Sequence, residues 1–139
     1  MSMFEIPEGS WLAYQLTTTE SGKPKMEPKV EKYTFVEIAG DDCTVDVERN
    51  GEPVGTIQTK TSFGCYLFDF SGLEKKGSEN LNTNFGHFYV NIYEGKEGDA
   101  SVRMYIAKDN IVLRRVLSYT KGDSLYSESR ELCWSSIRL

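Results

Sequence analysis

The chain has 139 residues, a net charge of -5 at pH 7 and a pI near 5.0. This length is typical of one domain that buries its own core, so residues 1–139 are predicted to form a single soluble domain. Binding to phosphate backbones relies on long-range attraction to positive charge, which the acidic balance opposes. We therefore expect no nucleic acid partner.

The N-terminal stretch MSMFEIPEGSW has no basic region, no apolar run and no small-residue cleavage site of the kind that a secretory signal carries. No other stretch approaches the roughly 20 apolar residues that cross a bilayer. We expect no membrane span and a cytoplasmic location, unless a signal peptide has been removed.

Apolar and polar residues alternate through the first half of the chain, which is typical of strands with one packed face. The strands predicted there cover residues 11–18, 33–38, 43–48, 54–61 and 62–70. The last of them, SFGCYLFDF, is the most apolar run, with Tyr66, Phe68 and Phe70 expected on one face. The polar segment 19–29 is interpreted as a loop.

Turn signals separate these strands. Asn50-Gly51 is the strongest of them, because both residues tolerate the positive φ that a type I′ hairpin needs. Pro53, just beyond it, is expected at a strand start or a sheet edge, where its missing N–H does no harm. Segment 71–85 loses the alternation, so we interpret it as a long connection with a helical turn at 73–76 that serves as a lid or rim loop.

Alternation returns in the second half, where the predicted strands cover residues 88–92, 102–106 and 111–120. Polar turns are expected at 94–99, 108–110 and 121–123. The last stretch, 125–139, fits a strand, although its letters SESREL alone would suit a helical turn; we choose the strand.

Together these segments give about eight to ten short strands at roughly 10-residue spacing. Such spacing is typical of sandwiches and barrels and not of alternating strands and helices. The predicted fold is all-β, a mainly antiparallel meander that forms a barrel or half-barrel with at most a short helix.

Residues that carry catalysis are few. His87 is the single histidine, so a nucleophile paired with histidine would have to use it, and we expect an ordinary surface or rim residue there. The sequence contains no phosphate-binding glycine loop and no nucleophile elbow. We predict a protein that is not an enzyme, with no catalytic residues and no cofactor.

Metal binding is not indicated either. Cys43, Cys65 and Cys133 include no CxxC pair, and each is expected to be a small core residue. Asp46 and Glu48 alternate with valines, so they are expected to face solvent. No metal site is predicted.

Three arginines form a candidate anion-binding patch: Arg114 and Arg115, with Arg103 on the neighbouring predicted strand. Adjacent residues on a strand face opposite ways, so Arg114 and Arg115 cannot contact the same ligand. We interpret them as part of a solvated edge, although Arg115 interrupts the apolar side of its own strand.

Aromatic residues make up 12% of the chain, and a curved sheet either packs such side chains in its interior or leaves a cavity that they line. Both alternatives stay open. If there is a cavity, its ligand-binding residues are expected to be Trp11, Tyr14, Tyr66, Phe68, Phe70 and Tyr105.

The segments GSWLAYQL, YTFVEIAGDDCTVDVERNG and VRMYIAKDNIVLRRVLSY resemble, in their strand and turn rhythm, the half-barrel lipid and lipoprotein carriers of the LolA-like type. In that family a twisted sheet wraps an apolar cavity closed by helices. The resemblance implies a carrier.

From the aromatic-rich strands we expect non-catalytic binding of an apolar or amphipathic small molecule. The alternative is a protein-interaction module, an inhibitor or adaptor, that uses a sheet face or edge. The oligomeric state stays open, since no residue identifies an edge that pairs with a second copy.

Overall fold

The computed structural model describes residues 5–137, apart from the side chain of Asp109. Within this range the chain forms ten strands and a 3₁₀ turn at Lys108–Asn110. The strands are β1 Trp11–Glu20, β2 Lys23–Pro24, β3 Lys29–Ala39, β4 Asp42–Arg49, β5 Glu52–Lys60, β6 Glu74–Thr83, β7 Gly86–Glu97, β8 Ala100–Ala107, β9 Ile111–Lys121 and β10 Ser124–Ser135. The prediction of an all-β, mainly antiparallel fold is confirmed.

The strands form one sheet in the order β5-β4-β3-β1-β10-β9-β8-β7-β6, and β2 pairs with the end of β1. Each of these pairs is antiparallel. Because β1 lies between β3 and β10, the first and last strands meet in the middle of the sheet. Within residues 5–137, β5 and β6 are free edges, so the sheet is open and corresponds to the half-barrel alternative.

The turn between β4 and β5 forms as its sequence predicts. Asn50 has a φ of 50° and Gly51 a φ of 84°, the positive values that a type I′ turn requires. Pro53 then lies opposite Glu48, beside a bulge on edge strand β5, where a missing N–H costs little.

Alternating side chains of the central strands supply the core. Leu12 and Tyr14 on β1, Phe35 on β3 and Val45 on β4 are fully buried. Val112 on β9 joins the same apolar cluster from the other half of the sheet. This period-two burial is what the alternation in the sequence predicts.

Residues 62–70 do not form a strand, so that prediction is wrong. Cys65 and Tyr66 have φ values of 53° and 59°, which no strand accommodates. Gly64 and Phe68 instead exchange backbone hydrogen bonds, with N···O distances of 2.8 and 3.0 Å. The segment 61–73, which we call the plug, therefore turns tightly and lies over one face of the sheet.

Several contacts fix the plug on the 3₁₀ turn and the start of β9. The N–H of Cys65 donates to the carbonyl of Asn110 at 2.8 Å, and the N–H of Val112 donates to Sγ of Cys65 at 3.0 Å. Gly64 sits so close that an added Cβ would overlap the Val112 side chain. The apolar run is thus a core-filling loop, which explains why its composition resembles that of a buried strand.

Segment 71–85 is also different from its prediction. Most of it is strand β6, with no helical turn at 73–76, so it is neither a long connection nor a lid. β6 is an edge strand with mostly exposed side chains, so it needs no apolar alternation. Pairing with β7 defines it, with a bulge at Lys76.

The other strand boundaries differ from the predicted ones by a few residues. Part of the predicted loop 19–29 is strand, because β1 extends to Glu20 and β2 pairs with it. The strand chosen for the last stretch is confirmed as β10, whereas Leu139 lies outside the described residues, as do the first four residues of the N-terminal stretch. Across residues 5–137, no helix has the length and apolar character to span a membrane.

Candidate functional site

Four of the six predicted ligand-binding residues lie at the contact between the plug and the sheet. Tyr14 is fully buried, and its hydroxyl donates to the carbonyl of Val112 at 2.7 Å. The ring of Phe68 meets that of Tyr14 edge to face, with centroids 5.3 Å apart. Tyr66 packs in the same way on Phe35 at 6.1 Å. At this contact the aromatic side chains pack on one another.

Phe70, the fourth of these residues, packs on Tyr93 at 5.3 Å. The other two lie elsewhere. The Trp11 ring lies 4.8 Å from the ammonium of Lys32, and Tyr105 is buried under the guanidinium of Arg114, 5.1 Å from its ring centroid. The six residues therefore do not surround one common space.

A cleft of about 520 Å³ lies beside the plug, between edge strand β5 and the end of β7. We call it the seam cleft. Its size is within the range of roughly 300–1,000 Å³ that small-molecule sites occupy. Its apolar lining is Ile57, Phe63, Leu67, Phe68 and Leu73, and its polar lining includes Thr59, Asp69, Lys96, Glu97 and Arg115.

The sheet topology creates this cleft. β7 runs past the start of β6, since Glu74 pairs with Glu94 and residues 95–97 continue without a β6 partner. Gly95 lets the plug approach β7 there, because an added Cβ would lie 2.7 Å from the Leu73 side chain. With β5 free on the other side, the seam cleft is the gap between the two halves of the open sheet.

Arg115 is the most enclosed charge in the seam cleft. Its side chain is 13% exposed, and its guanidinium carbon lies 5.9 Å from the centre of the Phe68 ring. Its Nη2 donates to Oε2 of Glu97 at 2.7 Å, although the Glu97 side chain is 65% exposed. An enclosed cation is therefore paired with a carboxylate that reaches in from solvent.

The two other charged residues at the cleft have local partners. Asp69 accepts hydrogen bonds from the backbone N–H and the hydroxyl of Ser71 at 3.0 and 2.8 Å, which lower the pKa of Asp69. Lys96 donates to the hydroxyl of Ser101 at 3.1 Å.

A second arginine, Arg130 on β10, lies directly across from Arg115 on β9. Its Nε donates to Oε1 of Glu31 at 2.7 Å, and Glu31 is 2% exposed. Glu31 also accepts from the Tyr33 hydroxyl at 2.8 Å and from Nη2 of Arg49 at 2.7 Å. Each carboxylate oxygen thus has a charged donor, and we call this group the Glu31 cluster.

The pKa of Glu31 reflects these contacts. Burial alone would raise it, but hydrogen bonds from Arg130 and Arg49 outweigh burial and lower the pKa below its ordinary value. Burial, with the adjacent Glu31 charge, raises the pKa of Tyr33 to about 12. The cluster is therefore fixed in one charge state near neutral pH, which suits a structural role.

The interpretation of the three arginines as part of a solvated edge is wrong, because β8 and β9 both lie inside the sheet. The prediction that Arg114 and Arg115 face opposite ways is confirmed. Arg114 pairs with Glu131 at 2.6 Å and lines a different cleft. The interruption of an apolar strand face by Arg115 is the sequence signal that could have indicated this site.

Two other clefts are more polar. One of about 700 Å³ includes Tyr105, but Arg103 is paired with Glu94 at 2.8 Å and Lys76 with Glu74 at 2.9 Å along it. The other, of about 320 Å³, is lined by the Arg114–Glu131 pair and by the polar turn at 82–84. Only the seam cleft, of these three, joins aromatic side chains to an arginine that is mostly enclosed.

The residues considered for chemistry lie apart from this cleft. His87 is exposed at the start of β7, as predicted. Cys43 and Cys65 are buried as predicted, whereas Cys133 is half-buried at a bulge of β10. Burial raises the pKa of Cys65 to about 11, so its thiolate is scarce at neutral pH.

The acidic residues on β4 do not form a site. Asp46 is exposed, as predicted, and Glu48 is half-exposed. Over the part of the chain that the structure describes, no group of three or more histidine, cysteine, aspartate or glutamate side chains is arranged to hold a metal ion.

Comparison with protein-family models, with curated proteins and with solved structures finds no match. The resemblance to LolA-like carriers therefore stays a prediction.

Proposed function

We propose that the protein is a non-catalytic binding protein that takes an amphipathic small ligand in the seam cleft. The observation that carries this proposal is the combination of five apolar side chains with Arg115, which is 13% exposed, in a space of about 520 Å³. Ligand sites commonly pair a mostly apolar lining with a few placed polar groups.

The geometry supports this position better than the interior of the sheet. The plug already occupies the space over Tyr14 and Phe35, where Phe68 and Tyr66 pack on them. A ligand there would have to displace aromatic contacts and the buried hydrogen bonds of Cys65. A ligand in the seam cleft leaves these aromatic contacts and buried hydrogen bonds in place.

A protein-interaction module is the second candidate, and the free edge β5 favours it. Val54 and Ile57 on β5 are 52% and 39% exposed. An exposed edge can accept a strand from a partner, but Pro53 and the adjacent bulge disturb the row of donors and acceptors. We rank this function second for that reason. We also propose that the protein is cytoplasmic and has no nucleic acid partner; the acidic pI near 5.0 supports the second of these statements.

The test is a fluorescence titration with N-phenyl-1-naphthylamine, an uncharged apolar dye. We expect saturable binding to the unmodified chain and at least a roughly fivefold loss of affinity in Ile57→Glu, which places a charge against the apolar lining. Val54→Glu is the matched control, because Val54 is exposed on the same strand but does not line the cleft.

The thermal midpoints of both variants should match that of the unmodified chain, since both positions are exposed. Absence of saturable dye binding, or equal loss of affinity in the two variants, would overturn the proposed site.

A further inference from the structure

We infer that the head group of the ligand is a single anionic group, such as a carboxylate or a sulfonate, which binds Arg115 by replacing Glu97. This inference rests on the proposed function and adds the chemical class of the ligand. Its basis is the uneven burial of the two partners in the Arg115–Glu97 pair, 13% and 65% exposed.

Arg115 needs an anion at this position. Its guanidinium is mostly withdrawn from water beside the Phe68 ring, where an unpaired charge is costly. A guanidinium presents five N–H donors, and among the described residues Arg115 donates one hydrogen bond, from Nη2 to Glu97. Donors are therefore left for an anion that binds through two oxygens.

Glu97 is easily replaced. It is the last residue of β7 and lies beyond the end of the β6 pairing, so its backbone has no strand partner on the β6 side. Ion pairs with one exposed partner contribute little to stability, because water solvates the released carboxylate. The site is thus occupied by an internal anion that an external one can displace.

The charges at the cleft agree with this exchange. With Glu97 in place, the lining carries two positive residues, Lys96 and Arg115, and two negative ones, Asp69 and Glu97. Asp69 is held away from Arg115 by its hydrogen bonds to Ser71, with no ion pair between Asp69 and Arg115 among the described residues. When Glu97 swings into solvent, the balance at the cleft becomes positive.

The experiment compares two dyes that differ by one charge: 8-anilino-1-naphthalenesulfonate and its uncharged counterpart N-phenyl-1-naphthylamine. Glu97→Gln removes the internal competitor, so we expect the anionic dye to bind at least about threefold more tightly. The affinity for the uncharged dye should change by less than about twofold. Glu131→Gln is the matched control, because Glu131 pairs in the same way with Arg114 outside the seam cleft.

Adding Arg115→Gln to Glu97→Gln should cancel the gain for the anionic dye. Near-ultraviolet circular dichroism of each variant checks that dye binding is to the folded protein, since this dye also binds partly unfolded states.

The outcomes separate the two proposals. If the uncharged dye binds at the seam cleft and Glu97→Gln leaves the affinity for the anionic dye unchanged or weaker, the head-group inference is wrong and the proposed function stands. If neither dye binds saturably, both are wrong.

Discussion

Arg115 and Arg130 face each other on paired strands, yet their surroundings differ. Arg130 donates to Glu31, which is 2% exposed and also bonded to Arg49 and Tyr33. Arg115 donates to Glu97, which is 65% exposed. Two similar arginines on one part of the sheet thus have one buried partner and one solvated partner.

This difference in the exposure of the two carboxylates assigns a structural role to one arginine pair and a binding role to the other. A buried carboxylate cannot leave its arginines, because each charge would then be unpaired in a poorly solvated place. An exposed carboxylate can leave, because water replaces the interaction that it loses. The Glu31 cluster therefore stabilises the fold, while the Arg115 pair is available to a ligand.

The largest expected effect comes from removing each arginine in turn. Arg130→Met should lower the free energy of unfolding by about 3 kcal/mol, because it removes the charged donor to Oε1 of the buried Glu31 and leaves the Tyr33 hydroxyl there. Arg115→Met should cost less than about 1 kcal/mol, because the carboxylate left behind is solvated. Urea unfolding of both variants measures the two values, and equal losses would contradict the comparison.

Acid should act mainly on the Glu31 cluster. The pKa of Glu31 is lowered in the folded chain, so its contribution to stability is fully present above its ordinary pKa of 4.5 and is lost as the pH falls through the folded value. Thermal midpoints measured between about pH 7 and pH 2.5 should fall less steeply in Glu31→Gln than in the unmodified chain. If the thermal midpoints of the two proteins fall equally steeply with pH, the Glu31 cluster does not titrate as described.

A smaller effect is expected at Thr59, on the wall of the seam cleft. Within residues 5–137 its buried Oγ1 has no hydrogen-bond partner, although Cys43 lies directly across from Thr59 on β4. Thr59→Val should therefore raise the free energy of unfolding by about 1 kcal/mol.

The matched control for this change is Thr56→Val. Thr56 is exposed on the same strand, and its hydroxyl donates to Asp46 at 2.9 Å, so the substitution should be close to neutral. A loss of stability in Thr59→Val would mean that the hydroxyl is satisfied in solution.

Alternation predicted most of the sheet, because period two reports directly which side of a strand is buried. It succeeded for β1, where Leu12, Tyr14 and Leu16 are all buried. It failed at the plug, since a loop that fills a core needs the same apolar residues as a strand, and the positive φ values of Cys65 and Tyr66 have no signature in their side chains. It also failed at β6, where an exposed edge strand has no apolar face.

The candidate site was less predictable than the fold. The site depends on which strands lie on the two sides of the seam cleft. Their position follows from the pairing of β1 with β10 and from the free edges of the sheet. Arg115 gave the single local signal, as a charge within an apolar strand face. Its partner Glu97 lies 18 residues away in the chain, in a stretch expected to be a polar turn.

The most direct test of the seam cleft as the binding site is the position of a bound ligand, mapped by amide chemical-shift changes as decanoate is added to isotopically labelled protein. We predict that the largest changes cluster at residues 57–59, 67–69 and 96–97 around the seam cleft. The amides of Tyr14 and Phe35, under the plug, should shift little. Changes concentrated at those two residues, or along the cleft that contains Arg103 and Tyr105, would contradict the assignment of the binding site.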